Sequence, residues 1–170
     1  MSRLVRLFFL SSPWVNCFAL LILIRERYGN YYTAPDTQFC SLDNIDLVEY
    51  GVYTTVAISP GSYLGSNVCG LCLQLNGTGI GNGNNPIAST VKVVVTDMCH
   101  TCTSFGDLAI ALSGNDKWLV NWQAVPCGIT KYVQYVHQNS QQYYLKMQIR
   151  NTNIPIKKVD FLKGKKNSLQ

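Results

Sequence analysis

VKVVVTDMCHTC, residues 91–102, is the stretch on which the reading of this chain turns. Val91, Val93, Val94, Val95 and Thr96 are β-branched, and such residues favour the pleated, half-buried surface of a sheet. The run therefore reads as a buried strand ending in Asp97, followed at once by Cys99-His100-Thr101-Cys102. An acid at the end of a buried strand can project from the mouth of a sheet. The two cysteines can hold a metal, carry redox chemistry or staple a loop beside that acid.

CGLC and CHTC together form Cys69-x2-Cys72-x26-Cys99-x2-Cys102, with His100 inside the second pair. Four thiolates can build a tetrahedral zinc site, but the long middle interval exceeds the spacing of zinc ribbons. A redox pair needs a helix starting at its first cysteine, in a βαβ layout, to lower the thiol pKa. TSFGD after Cys102 reads as loop instead. The metal and redox readings are set aside, and no metal or cofactor is expected. The remaining reading uses the acids Asp97 and Asp107. Two carboxylates on one groove can work on a glycosidic bond, one as acid and one as base or nucleophile. Each also has a plain structural use, Asp107 as a helix N-cap and Asp97 as a turn acceptor.

The formal net charge of +5 comes from the chain's ends. Between residues 30 and 156 the basic residues are Lys92, Lys117, Lys131, Lys146 and Arg150. The acidic ones are Asp36, Asp43, Asp46, Glu49, Asp97, Asp107 and Asp116. This slightly acidic body lacks the basic footprint of a nucleic-acid partner. MSRLVRLFFLSSPWVNCFALLILI, at the N-terminus, has two early arginines and then an apolar run, the pattern of an export signal. The run also approaches the length of a membrane span, and RERYGN follows it with no small-x-small cleavage site. Residues 1–27 are expected to be a signal peptide, or else a signal-anchor tethering the chain through residues 7–24 with the remainder outside the cell. Cys17 lies in that segment. The other six cysteines, Cys40, Cys69, Cys72, Cys99, Cys102 and Cys127, read as three disulfides in an oxidising compartment. Asn76-Gly77-Thr78 is a glycosylation sequon, placed in a loop.

The apolar stretches are short and separated by turn residues. Strands are expected at 51–59, 69–75, 91–97, 118–125, 131–138, 143–151 and 154–162, with a glycine-rich loop over 76–86. DLAIALSG, residues 107–114, is the helical candidate, with an Asp cap and a Gly stop. Trp118 and Trp122 alternate in register with Val120 and belong to the core. Tyr143 and Tyr144 are adjacent, so within a strand they point to opposite faces; one exposed ring can stack on a sugar. All the cysteines precede a boundary near 126–129.

In this order, CGLC, VKVVVTDMCHTC, GDLAIAL and VNWQAVPC resemble the double-psi β-barrel of expansins and their relatives, over residues 40 to 127. QQYYLKMQIRNTNIPIKKVDF is similar to the start of the second expansin domain, a cellulose-binding β-sandwich. The resemblance implies an all-β chain. A disulfide-stapled, six-stranded double-psi β-barrel over 38–128 would precede a partial, truncated β-sandwich of about three strands over 129–170. It assigns Asp97 to the strand-end acid needed for wall loosening, and Asp107 to the proton donor of related endoglucanases. It assigns Thr54 to the groove wall, and Tyr143 and Tyr144 to the aromatic pair that stacks on glucan. It pairs Cys40 with Cys69 and Cys72 with Cys127, leaving Cys99 with Cys102. Two positions depart from the family: Cys99 replaces a groove tyrosine of bacterial expansins, and Ala109 replaces a serine.

The implied function is that of a secreted, monomeric, non-hydrolytic protein that binds cellulose or related β-glucan and loosens it. The endoglucanases' partner base is missing from GVYTTV; of Asp36, Asp43, Asp46 and Glu49, which precede it, Glu49 is nearest. Two other readings use the same barrel: a lytic glycosidase or peptidoglycan transglycosylase, and an inactive remnant.

Overall fold

A computed structural model describes residues 4–8, 23–42, 44–156 and 158–162. The strands among them are β1 (Leu4–Phe8), β2 (Leu23–Tyr31), β3 (Thr54–Ile58), β4 (Cys72–Gly81), β5 (Thr90–Met98), β6 (Leu108–Ile110), β7 (Lys117–Val125), β8 (Gln134–His137), β9 (Met147–Arg150) and β10 (Lys158–Leu162). Two single-turn helices, α1 (Leu47–Tyr50) and α2 (Pro60–Tyr63), lie between β2 and β4. Six strands close a barrel in the order β2-β6-β3-β5-β4-β7. β2 runs parallel to β6 and β3 parallel to β5, while the other pairs are antiparallel. The chain thus has the all-β double-psi architecture.

Alternation fills the barrel. Trp118, Val120 and Trp122 of β7 point inward against Leu73, Leu75, Val93, Val95, Val56, Ile58, Leu108 and Ile110. The Trp122 indole N–H donates to the Gly106 carbonyl at 2.7 Å, so its one polar atom is satisfied inside. Outside the barrel, Cys72 and Val94 pack with Tyr50, Cys127 and Ile129. Three disulfides join Cys40 to Cys69, Cys72 to Cys127 and Cys99 to Cys102.

Several elements differ from the expectation. Residues 107–114 are not a helix: Leu108–Ile110 is strand β6, wedged between β2 and β3. Leu108 and Ile110 face the core and Ala109 faces out, which is period two, and pairing with β2 on one side and β3 on the other holds the segment extended. The glycine-rich stretch after Leu75 is largely strand, because β4 continues to Gly81. Its glycines serve close approach: a Cβ on Gly77 would sit 2.0 Å from the Ile87 carbonyl oxygen. Asn76 is therefore on a strand, where its side-chain oxygen accepts from the Thr90 hydroxyl at 2.7 Å. The barrel also begins earlier than residue 38. β2 takes up Leu23 to Arg27, within the expected leader, because the barrel needs a strand between β6 and β7. Most of the candidate tether, residues 9–22, lies outside the described residues; among those described, no helix is long and apolar enough to cross a membrane.

After Cys127 the partial second unit is a two-stranded sheet of β8 and β9, while β10 pairs with β1 instead of joining it. Polar contacts fix this sheet to the barrel. Gln148 donates to the carbonyls of Cys40 and Ser41, the Asn151 amide donates to the Tyr50 hydroxyl, and the Asn153 carbonyl accepts from the Cys127 amide.

One irregularity positions the site. Along β3 and β5, Thr54, Thr55 and Val56 face Val93, Val94 and Val95, but Ala57 faces Asp97. Thr96 has no opposite number and forms a β-bulge. Simple alternation would send Asp97 into the barrel with Val93 and Val95; the extra residue turns it to the outer face. Thr96 is fully buried, and its hydroxyl has no hydrogen-bond partner among the described residues. Thr96→Val, which removes an unsatisfied polar atom with little change of shape, is expected to raise stability by about 1 kcal/mol. The check is a higher denaturant midpoint at unchanged slope.

Candidate functional site

The bulge lines up Asp97, Ala57, Ala109 and Asn30 as one row across β5, β3, β6 and β2 on the barrel's outer face. The two alanines make a shallow floor on which the Cys99–Cys102 disulfide packs. Larger residues at 57 or 109 would push that disulfide away. The segment 32–40 leaves β2 and crosses this face to reach β5. We call it the strap. It is pinned where it meets Asp97: the Tyr32 hydroxyl donates to Oδ2 at 2.6 Å and the Phe39 amide to Oδ1 at 2.9 Å. The Met98 amide adds a third bond to Oδ1 at 2.8 Å. The strap's far end is held by the Cys40–Cys69 disulfide and by the Cys40 amide on the Thr96 carbonyl.

Beside Asp97 a cavity of about 350 Å³ opens, with Asp97 and Ala109 in its lining and Tyr31, Tyr32, Phe39 and His100 as its rings. The Phe39 and His100 rings meet at a steep angle, with centroids 5.0 Å apart. Burial pushes the Tyr32 phenol well above its usual pKa, and the hydrogen bond and negative charge of Asp97 push it further. The phenol therefore stays a donor.

Asp107 lies on the same outer face, at the start of β6. Its Oδ1 accepts from the Tyr28 amide and its Oδ2 from the Ser104 amide, each at 3.2 Å. It caps no helix; it fixes β2 and the disulfide loop 99–106. Asp97 and Asp107 are thus brought to one surface at opposite ends of that loop, both only 5% exposed.

Thr54 shares its side of β3 with Val56 and Ile58, and its hydroxyl is spent on the Ala111 carbonyl at 2.6 Å. Its neighbour Thr55 faces outward and lines a second cavity of about 420 Å³. Counting in twos back from Val56 would have separated the pair. Tyr143 and Tyr144 are not on a strand. They form the turn Gln141–Tyr144 between β8 and β9, closed by reciprocal backbone bonds, and are 94% and 59% exposed. Both rings face water together. Glu49 sits on α1, paired with Lys131 at 3.1 Å and accepting from Asn151. Asp46 caps α1 through the amides of Val48 and Glu49, Asp36 lines the second cavity, and Asp43 lies outside the described residues. Tyr32, Phe39 and Thr55 were not singled out in the sequence, where no spacing marks the strap, and His100 was noted there only inside the CHTC pair.

No protein-family model matches this chain, and no curated protein matches it. Solved structures do. An aspartate-to-asparagine mutant of the Clavibacter michiganensis expansin in complex with cellohexaose superposes with a TM-score of 0.59 at 19% identity. The apo form of that expansin gives 0.60 at 19% identity. Each match covers 79% of this chain and 66% of the solved one. This chain therefore has an expansin-like double-psi barrel fold, and it spans about two thirds of the length of those proteins.

The Tyr32–Asp97 bond makes a prediction with a sign. The phenol pKa is raised in the folded state, so the unfolded chain loses that proton first, near pH 10. Stability is then full below about pH 10 and falls as pH rises beyond it. Tyr32→Phe is expected to cost about 1–2 kcal/mol at neutral pH, because a buried carboxylate oxygen loses its donor. Between pH 9 and 11, roughly the tyrosine range, the variant should lose less stability than the parent. Denaturant unfolding across that range measures both effects.

Proposed function

We propose that this protein is exported through its apolar N-terminal segment and binds β-glucan, cellulose or a related polymer, as a monomer. It loosens contacts between chains without cutting them. The observation that carries this reading is the way the two acids are held. A glycosidase needs one protonated carboxyl to deliver a proton and a second carboxylate placed across the bond. Asp97 and Asp107 each accept donors through both oxygens, which ties Asp97 to the strap and Asp107 to β2 and the disulfide loop. Glu49, the nearest candidate for a partner base, is engaged by Lys131 and Asn151 on α1. A carboxylate has about four lone-pair positions. Asp97 uses three, which leaves one to accept a sugar hydroxyl in the cavity.

In this reading the barrel grips sugar hydroxyls and the turn of β8–β9 offers Tyr143 and Tyr144 as a stacking platform. The fold shared with an expansin solved with cellohexaose supports a glucan partner. Three disulfides support an oxidising, extracellular location. Asn76 keeps its role as candidate glycosylation acceptor.

The test is a pull-down of the secreted, oxidised protein on insoluble cellulose and on peptidoglycan, with the supernatant assayed for sugar ends. Retention on cellulose with no released sugar is expected; released sugar would make the protein a lytic enzyme. Tyr143→Ala with Tyr144→Ala should weaken retention by roughly thirtyfold, at about 1 kcal/mol per stacked ring. Asp97→Asn and Asp107→Asn should each abolish loosening, read as creep of a cellulose sheet under load, while retention persists. Undiminished loosening in both would remove the acids from the mechanism.

A further inference from the structure

The strap divides what would otherwise be one open groove. Its residues alternate like an extended strand: Thr37 and Phe39 line the cavity that holds Asp97, while Asp36 and Gln38 line the cavity that holds Thr55. Pro35 is the one residue common to both linings. The floor is divided in the same way, since Thr55 and Ala109, both on the barrel's outer face, open into different cavities. The wall is held at both margins by the two bonds to Asp97 and by the Cys40–Cys69 disulfide. A polymer lying along the outer face of β3 and β6 would have to pass through this wall. A chain end would not.

We propose that the cavity beside Asp97 binds the free end of a glucan chain, about one or two sugar rings, and not a continuous span. The inference rests on the glucan-binding reading above and names the part of the polymer that the site takes. The cavity, about 350 Å³, is at the small end of the range for ligand sites. Its chemistry suits a terminal sugar. Tyr31 and Phe39, 42% and 55% exposed, present ring surface to the sugar's C–H faces. Asp97 keeps one acceptor position for a hydroxyl, and Thr37, His100 and Thr101 add polar groups around it. Phe39 and Tyr31 are then the residues that set specificity for ends.

The experiment uses the full secreted, oxidised protein carrying Tyr143→Ala and Tyr144→Ala, so that the cavity is read without the tyrosine turn. Calorimetric titration runs from glucose through the β-1,4-linked disaccharide to the hexasaccharide. Affinity is expected to stop rising at the disaccharide or trisaccharide. Phe39→Ala should lower it about tenfold, and Phe39→Tyr should restore it. Asp36→Ala, on the other side of the wall, should leave it unchanged. In parallel, cellulose shortened by acid should retain more protein than the same mass of long-chain cellulose, in proportion to its ends. Affinity that climbs steadily to the hexasaccharide, or retention indifferent to chain ends, overturns end recognition and leaves glucan binding standing. Absence of binding to every soluble and insoluble glucan, by the variant and by the unmodified protein alike, removes both.

Discussion

A single unpaired residue, Thr96, sets the chemistry of this surface. Without it the carboxylate of Asp97 would follow Val93 and Val95 into a barrel lined by tryptophan and aliphatic side chains. A lone charge there would be severely penalised. With it, the acid turns outward and attracts donors. The Tyr32 hydroxyl and the Phe39 amide converge on it, the Cys40 amide takes the carbonyl of Thr96 itself, and the strap is drawn across the face. The small residues at 57 and 109 then let a tight disulfide loop settle beside the acid. Bulges recur next to functional sites because they re-aim one side chain while the ladder around it stays paired.

The parts of the fold that were legible in the sequence are those where alternation and burial coincide. β5 and β7 announce themselves through Val93, Val95, Trp118, Val120 and Trp122, and these residues do fill the barrel. The acid's side of the sheet was not legible, because counting in twos from Val95 points Asp97 inward, and no local pattern marks a bulge. β6 was misread for a related reason. An Asp before three apolar residues and a later Gly look like helix punctuation, but the strands on either side claim that segment. The glycines after Asn76 signal turns in isolation; in the barrel they admit neighbouring backbone. The strap escaped notice because its partners are long-range: Tyr32 and Asp97 are 65 residues apart in sequence.

The C-terminal piece shows how a marginal element is kept in place. Two strands alone are hardly stable in water. Here Gln148 reaches the carbonyls of Cys40 and Ser41, Asn151 reaches Tyr50 and Glu49, and Lys131 reaches Glu49 on α1. These contacts hold the hairpin while leaving its tyrosine turn in water. Glu49, held by Lys131 and Asn151, is part of that attachment.

The order of strands around the barrel also bears on how the chain reaches its folded state. β2 comes first among the barrel strands in sequence, yet its seats are beside β6 and β7, far downstream. The barrel cannot be sealed until Val125 is available to complete β7. Such long-range pairing makes folding slow, since distant segments must be brought together before their contacts reward the lost chain entropy. The disulfides differ in the same respect. Cys99 and Cys102, three residues apart, can join as a local event, whereas Cys72 and Cys127, 55 apart, must wait for the barrel to bring their strands together. A chain built this way stays open until synthesis of the barrel is complete, and the bridge between Cys72 and Cys127 is the one that then locks it.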